Sequence, residues 1–206
     1  KECINFKDVE YFHNPYFAST NMIESLMYAR SILKENIIVA YADILYTAEI
    51  IRKMISVDDD IAVAVDDAWK SYWKLRYGTV NYDIESLTIG KKGRITNLGR
   101  PLISAAELDY RFIGLLRFTT AGCQQLLNVY DEHKKENTSW AQSGKPFKQG
   151  FMTDWLDEAI QKGVKIMPHI THHGWLEFDT AEDYELALGL KRKGLLNQFI
   201  QLELEQ

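Results

Sequence analysis

Apolar and polar positions along the chain fall into blocks whose period switches between two and about 3.6 residues, so strands and helices alternate. Residues 9–13 read as a short strand. Asn21 is placed to cap a helix over 22–33, with Glu24 as its capping-box partner and Met22, Ile23, Leu26, Met27, Ile32 and Leu33 on one face. Residues 36–41 carry Ile37, Ile38 and Val39 in a run, the pattern of a strand buried on both faces. A short helix over 47–55, an apolar strand over 61–65 and a helix over 69–76 follow. Two short strands, 87–89 and 94–98, flank Gly90-Lys91-Lys92-Gly93, a hairpin turn. A strand over 111–118 leads into a helix over 120–135, then a polar loop over 136–149. The remaining pieces are a helix over 152–162, strands over 164–167 and 175–178, and a helix over 180–193 ended by Gly194. The succession predicts one α/β domain over residues 1–206. It has a mostly parallel sheet with helices on both faces, and an antiparallel hairpin inserted.

Composition narrows the class. Hydrophobic residues make up 46% and charged residues 26%, values of a globular chain. No apolar run approaches the ~18 residues a membrane-spanning helix needs. The formal net charge of −5 argues against a nucleic-acid partner, and no membrane partner is expected. Two cysteines, Cys3 and Cys123, cannot build a disulfide framework and fit a reducing, cytoplasmic setting. The oligomeric state stays open, a homo-oligomer included.

In an open α/β sheet, ligands bind beyond the carboxyl ends of the strands. Three apolar strands run into acids there: Asp43, the pair Asp66 and Asp67, and Asp179. Two converging carboxylates suit Mg²⁺, which takes a few carboxylates together with phosphate oxygens and water. For Asp179, followed by Thr180, the competing role is a helix cap. Asp66 and Asp67 precede Trp69, Tyr72 and Trp73. Acids beside aromatic faces can receive a substituted ammonium by charge and cation–π attraction, the competing role being core packing.

These residues resemble those of nucleotidyltransferases that act on sugar phosphates, phosphocholine or aminoethylphosphonate. The resemblance rests on Asn14-Pro15, Ser19-Thr20-Asn21, Tyr41-Ala42-Asp43, Ile61-Ala62-Val63-Ala64-Val65-Asp66, Gly93-Arg94-Ile95, Gly99-Arg100-Pro101, Phe112-Ile113-Gly114-Leu115, Met152-Thr153-Asp154 and Gly174-Trp175-Leu176-Glu177-Phe178-Asp179-Thr180, in order from about residue 9 to 190. It implies a Rossmann-like nucleotide-diphospho-sugar transferase fold. The implied reaction is Mg²⁺-dependent transfer of a nucleotidyl group, CTP favoured, onto a phosphorylated amine or sugar with release of pyrophosphate. It further implies that Asp43 and Asp179 are the catalytic metal ligands, and that Asn21, Thr153 and Asp154 join Asp66, Trp69 and Trp73 around the substrates. The family opens with a strand, a glycine-rich triphosphate loop, a helix and a strand. Nothing in these residues matches that unit, and the chain starts at Lys1. Hence the expectation that a front unit is missing, that this chain alone is inactive, and that residues 9–13 and 36–41 lack a shared neighbour. Ala42 and Arg111 also stand where the family prefers glycine and a small polar residue.

The competing functional class is a non-catalytic or regulatory homologue that binds a ligand or a partner. A third reading, a glycosyltransferase with a metal-binding acid motif at Asp58-Asp59-Asp60, is weaker because these acids precede a strand instead of following one. His169, His172 and His173 read as loop histidines rather than a zinc site, Lys91, Lys92 and Arg94 as a solvated turn, and Cys123 as structural.

Overall fold

A computed structural model describes residues 9–202. The centre is a four-stranded sheet in the order β1 (Ile37–Ala40), β6 (Arg111–Phe118), β3 (Ile61–Asp66) and β7 (Met167–Thr171). β6 runs antiparallel to both neighbours, while β3 and β7 are parallel. Three of the four strands therefore share one direction, and their carboxyl ends meet the amino end of β6 at one edge. β3 is buried at every residue, as its unbroken Ile-Ala-Val-Ala-Val run requires.

Two small ladders flank this sheet. β2 (Ile44–Tyr46) pairs antiparallel with β8 (Trp175–Glu177), and β4 (Glu85–Ile89) pairs with β5 (Ile95–Pro101) in the expected hairpin. The helices are α1 (Met22–Met27), α2 (Ala48–Ile55), α3 (Trp69–Tyr77), α4 (Thr120–Glu136), α5 (Met152–Gln161) and α6 (Ala181–Arg192). All six contribute buried apolar side chains to one core, from Ile23 in α1 to Leu190 in α6. α4 packs on β6 and against α5, which also covers β5. Among the described residues no helix is long and apolar enough to cross a membrane.

Four sequence expectations shift. Residues 9–13 form no strand, and Val9 and Tyr11 remain exposed, because no neighbouring strand offers its backbone groups. β1 is half-buried, not buried on both faces, since it pairs only with β6 and forms the sheet edge. The first helix stops at Met27. A 3-10 turn over Arg30–Ile32 follows, which buries Leu33 and brings the Arg30 guanidinium onto Asp131 of α4 at 2.6 and 2.8 Å. Glu24 does not close a capping box; it accepts from the Tyr130 hydroxyl at 2.6 Å. The strand expected over 164–167 begins only at Met167. Gly163 turns with φ +86°, and the Val164 N–H still bonds back to Ala159 of α5 at 2.9 Å. β7 then runs through Pro168, which an edge strand tolerates.

One close approach locks α4 to the sheet. The helix is capped by Thr119, whose hydroxyl accepts from the Gly122 N–H at 3.0 Å. A Cβ at Gly122 would lie 2.2 Å from the Asp60 carbonyl oxygen. Alanine is the better helix former by up to ~1 kcal/mol, but a clash with fixed backbone outweighs that. Gly122→Ala is therefore expected to destabilise the fold by about 1–3 kcal/mol, read as a lower urea midpoint with an unchanged slope.

Candidate active site

The chain leaves β1 through Tyr41, turns, and enters β2, so Asp43 hangs at the carboxyl edge of the sheet. Tyr41 is fixed there by its N–H on the Gly114 carbonyl at 3.0 Å and by edge-on contact with Phe112. Gly114 has φ +77°, and a Cβ on it would press within 2.7 Å of the Tyr41 ring, so glycine is required for this approach. The β2–β8 ladder then brings the acids together. Ile44 pairs with Glu177, and the Phe178 N–H bonds to the Asp43 carbonyl at 2.8 Å. Asp43 and Asp179 thus flank the same end of one ladder, and both are exposed.

The electrostatic centre is a residue the sequence did not single out. The Arg76 side chain is fully buried at the end of α3. It meets Glu177 at 2.5 Å, Asp179 at 2.8 Å and Asp183 at 2.5 Å. Burial opposes its charge, but the Asp183 hydrogen bonds and the Glu177 charge outweigh this and hold the proton more firmly. Those Arg76 bonds, with N–H groups at Thr180, pull Asp183 down to about 2 although burial acts the other way. Glu177 moves upward. Burial dominates there, reinforced by the Asp179 charge and only partly relieved by Arg111 and Arg76. Asp179 does not cap α6: Thr180 does, in a capping box with Asp183.

Two further groups complete this edge. Glu85, at the start of β4, keeps solvent-exposed surface yet is crowded by protein. The crowding and the charges of Asp83, Asp154 and Glu177 push its carboxyl up to about 7, with Arg111 opposing. Arg111, on β6 opposite Asp66, donates to the Asp83 carbonyl at 2.7 Å and lies 3.6 Å from the Trp73 ring centre. Burial, then the charges of Glu85, Asp43 and Glu177, raise the Tyr41 hydroxyl above its usual range, which places all three acids near it. A clue for Arg76 was available: Glu177, Asp179 and Asp183 crowd one short segment and call for a buried cation. Glu85 had no local signature.

The other expected site residues fall in different places. Trp69 and Trp73 are wholly buried and Tyr72 nearly so. They pack edge-on among themselves and with Trp175, and the cation over Trp73 is Arg111. Arg76 also lies over Trp73, at 5.1 Å, so these rings are core and not an open seat for a ligand ammonium. Asp66 is also fully buried. It accepts from the N–H groups of Ala68 and His173 and from the Trp175 indole at 2.8 to 3.0 Å. Asn21 caps α1, and its N–H bonds to Lys148. Thr153 is buried beneath Gly99, and Asp154 caps α5 while accepting from Ser143. Among the described residues no three or more His, Cys, Asp or Glu side chains are grouped to hold a metal by themselves.

No family profile matches the chain. It is 26% identical over 195 residues to the CTP:phosphoglutamine cytidylyltransferase of Campylobacter jejuni, across 91% of this chain and 76% of that one. In sequence the chain resembles the nucleotidyltransferases, and it is a cytidylyltransferase-like enzyme. Its fold is shared with the CTP:phosphocholine cytidylyltransferase of Streptococcus pneumoniae, at TM-score 0.61 and 14% identity over 86% of this chain and 67% of that chain. It is shared too with the inositol-1-phosphate CTP transferase of T. maritima, at TM-score 0.57 and 15% identity over 92% and 67%.

Two outcomes test this electrostatic arrangement. Arg76→Met leaves three carboxylates facing one another and is expected to cost about 3–5 kcal/mol of stability. Glu85 has the opposite sign to an ion-paired acid. Its folded pKa lies above the unfolded one, so it costs stability from about 4.5 upward and in full above about 7. Glu85→Gln should raise the denaturation midpoint well above pH 7 and leave it unchanged below about pH 4.

Proposed function

We propose that this nucleotidyltransferase transfers a cytidylyl group from CTP to a small phosphorylated, amine- or amide-bearing molecule, releasing pyrophosphate. The observation carrying this reading is the placement of Asp43 and Asp179 at the same end of the β2–β8 ladder, next to the paired Ile44 and Glu177 and either side of the Phe178 N–H bond to the Asp43 carbonyl. The named activities of the relative and of the structural neighbours support CTP as donor.

The residues fit Mg²⁺. Mg²⁺ is commonly held by one or two carboxylates plus water and substrate phosphates, so a complete protein cage is not needed. The Asp43 carboxylate is exposed and joins no ion pair among the described residues, and the Asp179 side chain is 41% exposed with one oxygen on Arg76. Bound there with the nucleotide, the metal would neutralise charge on the transferring phosphoryl group. Asp43 and Asp179 act as ligands and not as bases. Arg76 keeps Asp179 anchored and limits the repulsion among the acids. Glu85, exposed at this edge and joined to no metal or cation in this reading, is the acid available to a cationic group on the acceptor substrate. That assigns the amine preference to Glu85 and not to the buried tryptophans.

The triphosphate carries about four negative charges, which two acids and one Mg²⁺ cannot offset without backbone N–H groups and side-chain cations. In this reading those come from a strand–glycine-rich loop–helix–strand unit that pairs with the free edge of β1. Support comes from β1 being an edge strand among the described residues.

Calorimetry on the 206-residue chain with Mg²⁺ and CTP is expected to show binding no tighter than about millimolar. Supplying the phosphate-loop unit ahead of Val9 should bring tighter binding and pyrophosphate release. In that form Asp43→Asn should lower turnover roughly 10²–10³-fold, the range for losing one stabiliser of developing charge. Micromolar CTP binding by this chain alone would place the nucleotide elsewhere. No pyrophosphate release in the completed form would favour a non-catalytic ligand-binding homologue.

A further inference from the structure

At the other end of α3 and β8 lies a second constellation that nucleotidyl transfer does not use. Ser71, in the first turn of α3, is exposed, and its Oγ lies 3.2 Å from Nε2 of His173. On the far side of the same ring, Nδ1 lies 3.5 Å from the buried Asp66 carboxylate. Burial alone would raise the Asp66 pKa, but its bonds to His173, Trp175 and the Ala68 N–H more than offset this, so it stays ionised. An ionised carboxylate at Nδ1 selects the tautomer with the proton on that nitrogen. Nε2 is then one of two acceptors facing the serine hydroxyl, the other being the Ala68 carbonyl at 3.1 Å.

The backbone holds this arrangement at some cost. His173 has φ +59°, a conformation a non-glycine residue adopts rarely. It is fixed there by its N–H on Asp66 at 3.0 Å and by the Thr171 hydroxyl on its carbonyl at 2.9 Å. Beside it opens a cavity of about 630 Å³. The charges in its wall are already paired, Lys53 with Glu49 and His172 with Asp67. The rest of the wall is apolar or amide-bearing, including Ile50, Phe199 and Asn197. Such a cavity suits a small uncharged guest.

We propose that Ser71, His173 and Asp66 form a nucleophile, general base and positioning residue acting on small uncharged carboxylic esters that reach the exposed Ser71 hydroxyl beside the cavity that His173 lines. The Ser71 oxygen bonds to the ester carbonyl carbon as its proton passes to His173 Nε2. Collapse breaks the bond to the alcohol oxygen, which leaves with that proton. Water then reverses the sequence: its proton goes to Nε2, its oxygen bonds to the acyl carbon, and Ser71 departs reprotonated. The Asp66 contact is longer than a working hydrogen bond, and such contacts commonly tighten when substrate binds.

The test is p-nitrophenyl acetate with the 206-residue chain. It follows p-nitrophenolate release and the acetyl group on the Ser71 peptide by mass spectrometry. Release is expected to fall roughly a hundredfold in Ser71→Ala, whose exposed position does not threaten the fold, and similarly in His173→Asn, which tolerates positive φ. His173 is faced by Asp66, by Ser71, by the His172 ring at 5.2 Å and by the Phe199 ring at 5.3 Å. In Asp66→Asn kcat should fall with KM little changed, because the ring loses its orienting partner while the cavity wall is untouched; a purely structural role would change both. Release that survives Ser71→Ala, acetylation confined to other residues, full activity of His173→Asn, or no release at all would each overturn the proposal.

Discussion

The structure turns on one buried cation. Arg76 ends α3 without solvent contact and gathers Glu177 from β8 and Asp179 and Asp183 from the start of α6. Three acids so close would repel one another strongly in a medium of low polarity. A bare guanidinium in the core would be as unfavourable. Each is tolerable only with the other, and the planar fork of arginine serves several carboxylates where a lysine point charge would not. The contact thereby sets where α3, β8 and α6 meet, and the acid-rich edge is built on that junction.

The same junction separates structural acids from available ones. Asp183 is committed to a cap and to Arg76, and Asp66 to three N–H donors, so neither has a free lone pair facing solvent. Asp43 and Asp179 remain exposed at one end of the ladder, with Glu85 beside them in a crowded recess. Such a division is what a site handling polyphosphate with a divalent cation needs: a few accessible carboxylates on a rigid support. The tryptophans of α3 supply the support by filling the space beneath.

Much of the fold was legible because its signals are local. The Ile61–Asp66 run, the Gly90–Gly93 turn and the Thr180–Asp183 capping box each carry their own chemistry within a few residues. The order of matching segments along the chain likewise pointed to the nucleotidyltransferase family and to the edge where Asp43 and Asp179 lie. β2 was missed because three residues have no period to detect, and it exists only through its pairing with β8. The strand over 9–13 failed for the converse reason: a strand pattern becomes a strand only where a neighbouring strand pairs with it, and among the described residues none does.

Side-chain roles divided along the same line. Helical spacing put Trp69, Tyr72 and Trp73 together on α3, but whether their faces meet a ligand or Arg111 and Trp175 depends on strands more than thirty residues away. Residue types and their order by themselves determined the alternation of helices and strands, the acids at strand ends and the resemblance to nucleotidyltransferases. The tertiary structure alone decided the antiparallel course of β6, the burial of Asp66, the cluster around Arg76 and the line from Ser71 through His173 to Asp66. All of these are contacts between segments distant in sequence, and their energies come from burial and charge proximity, which exist only once the chain has closed on itself.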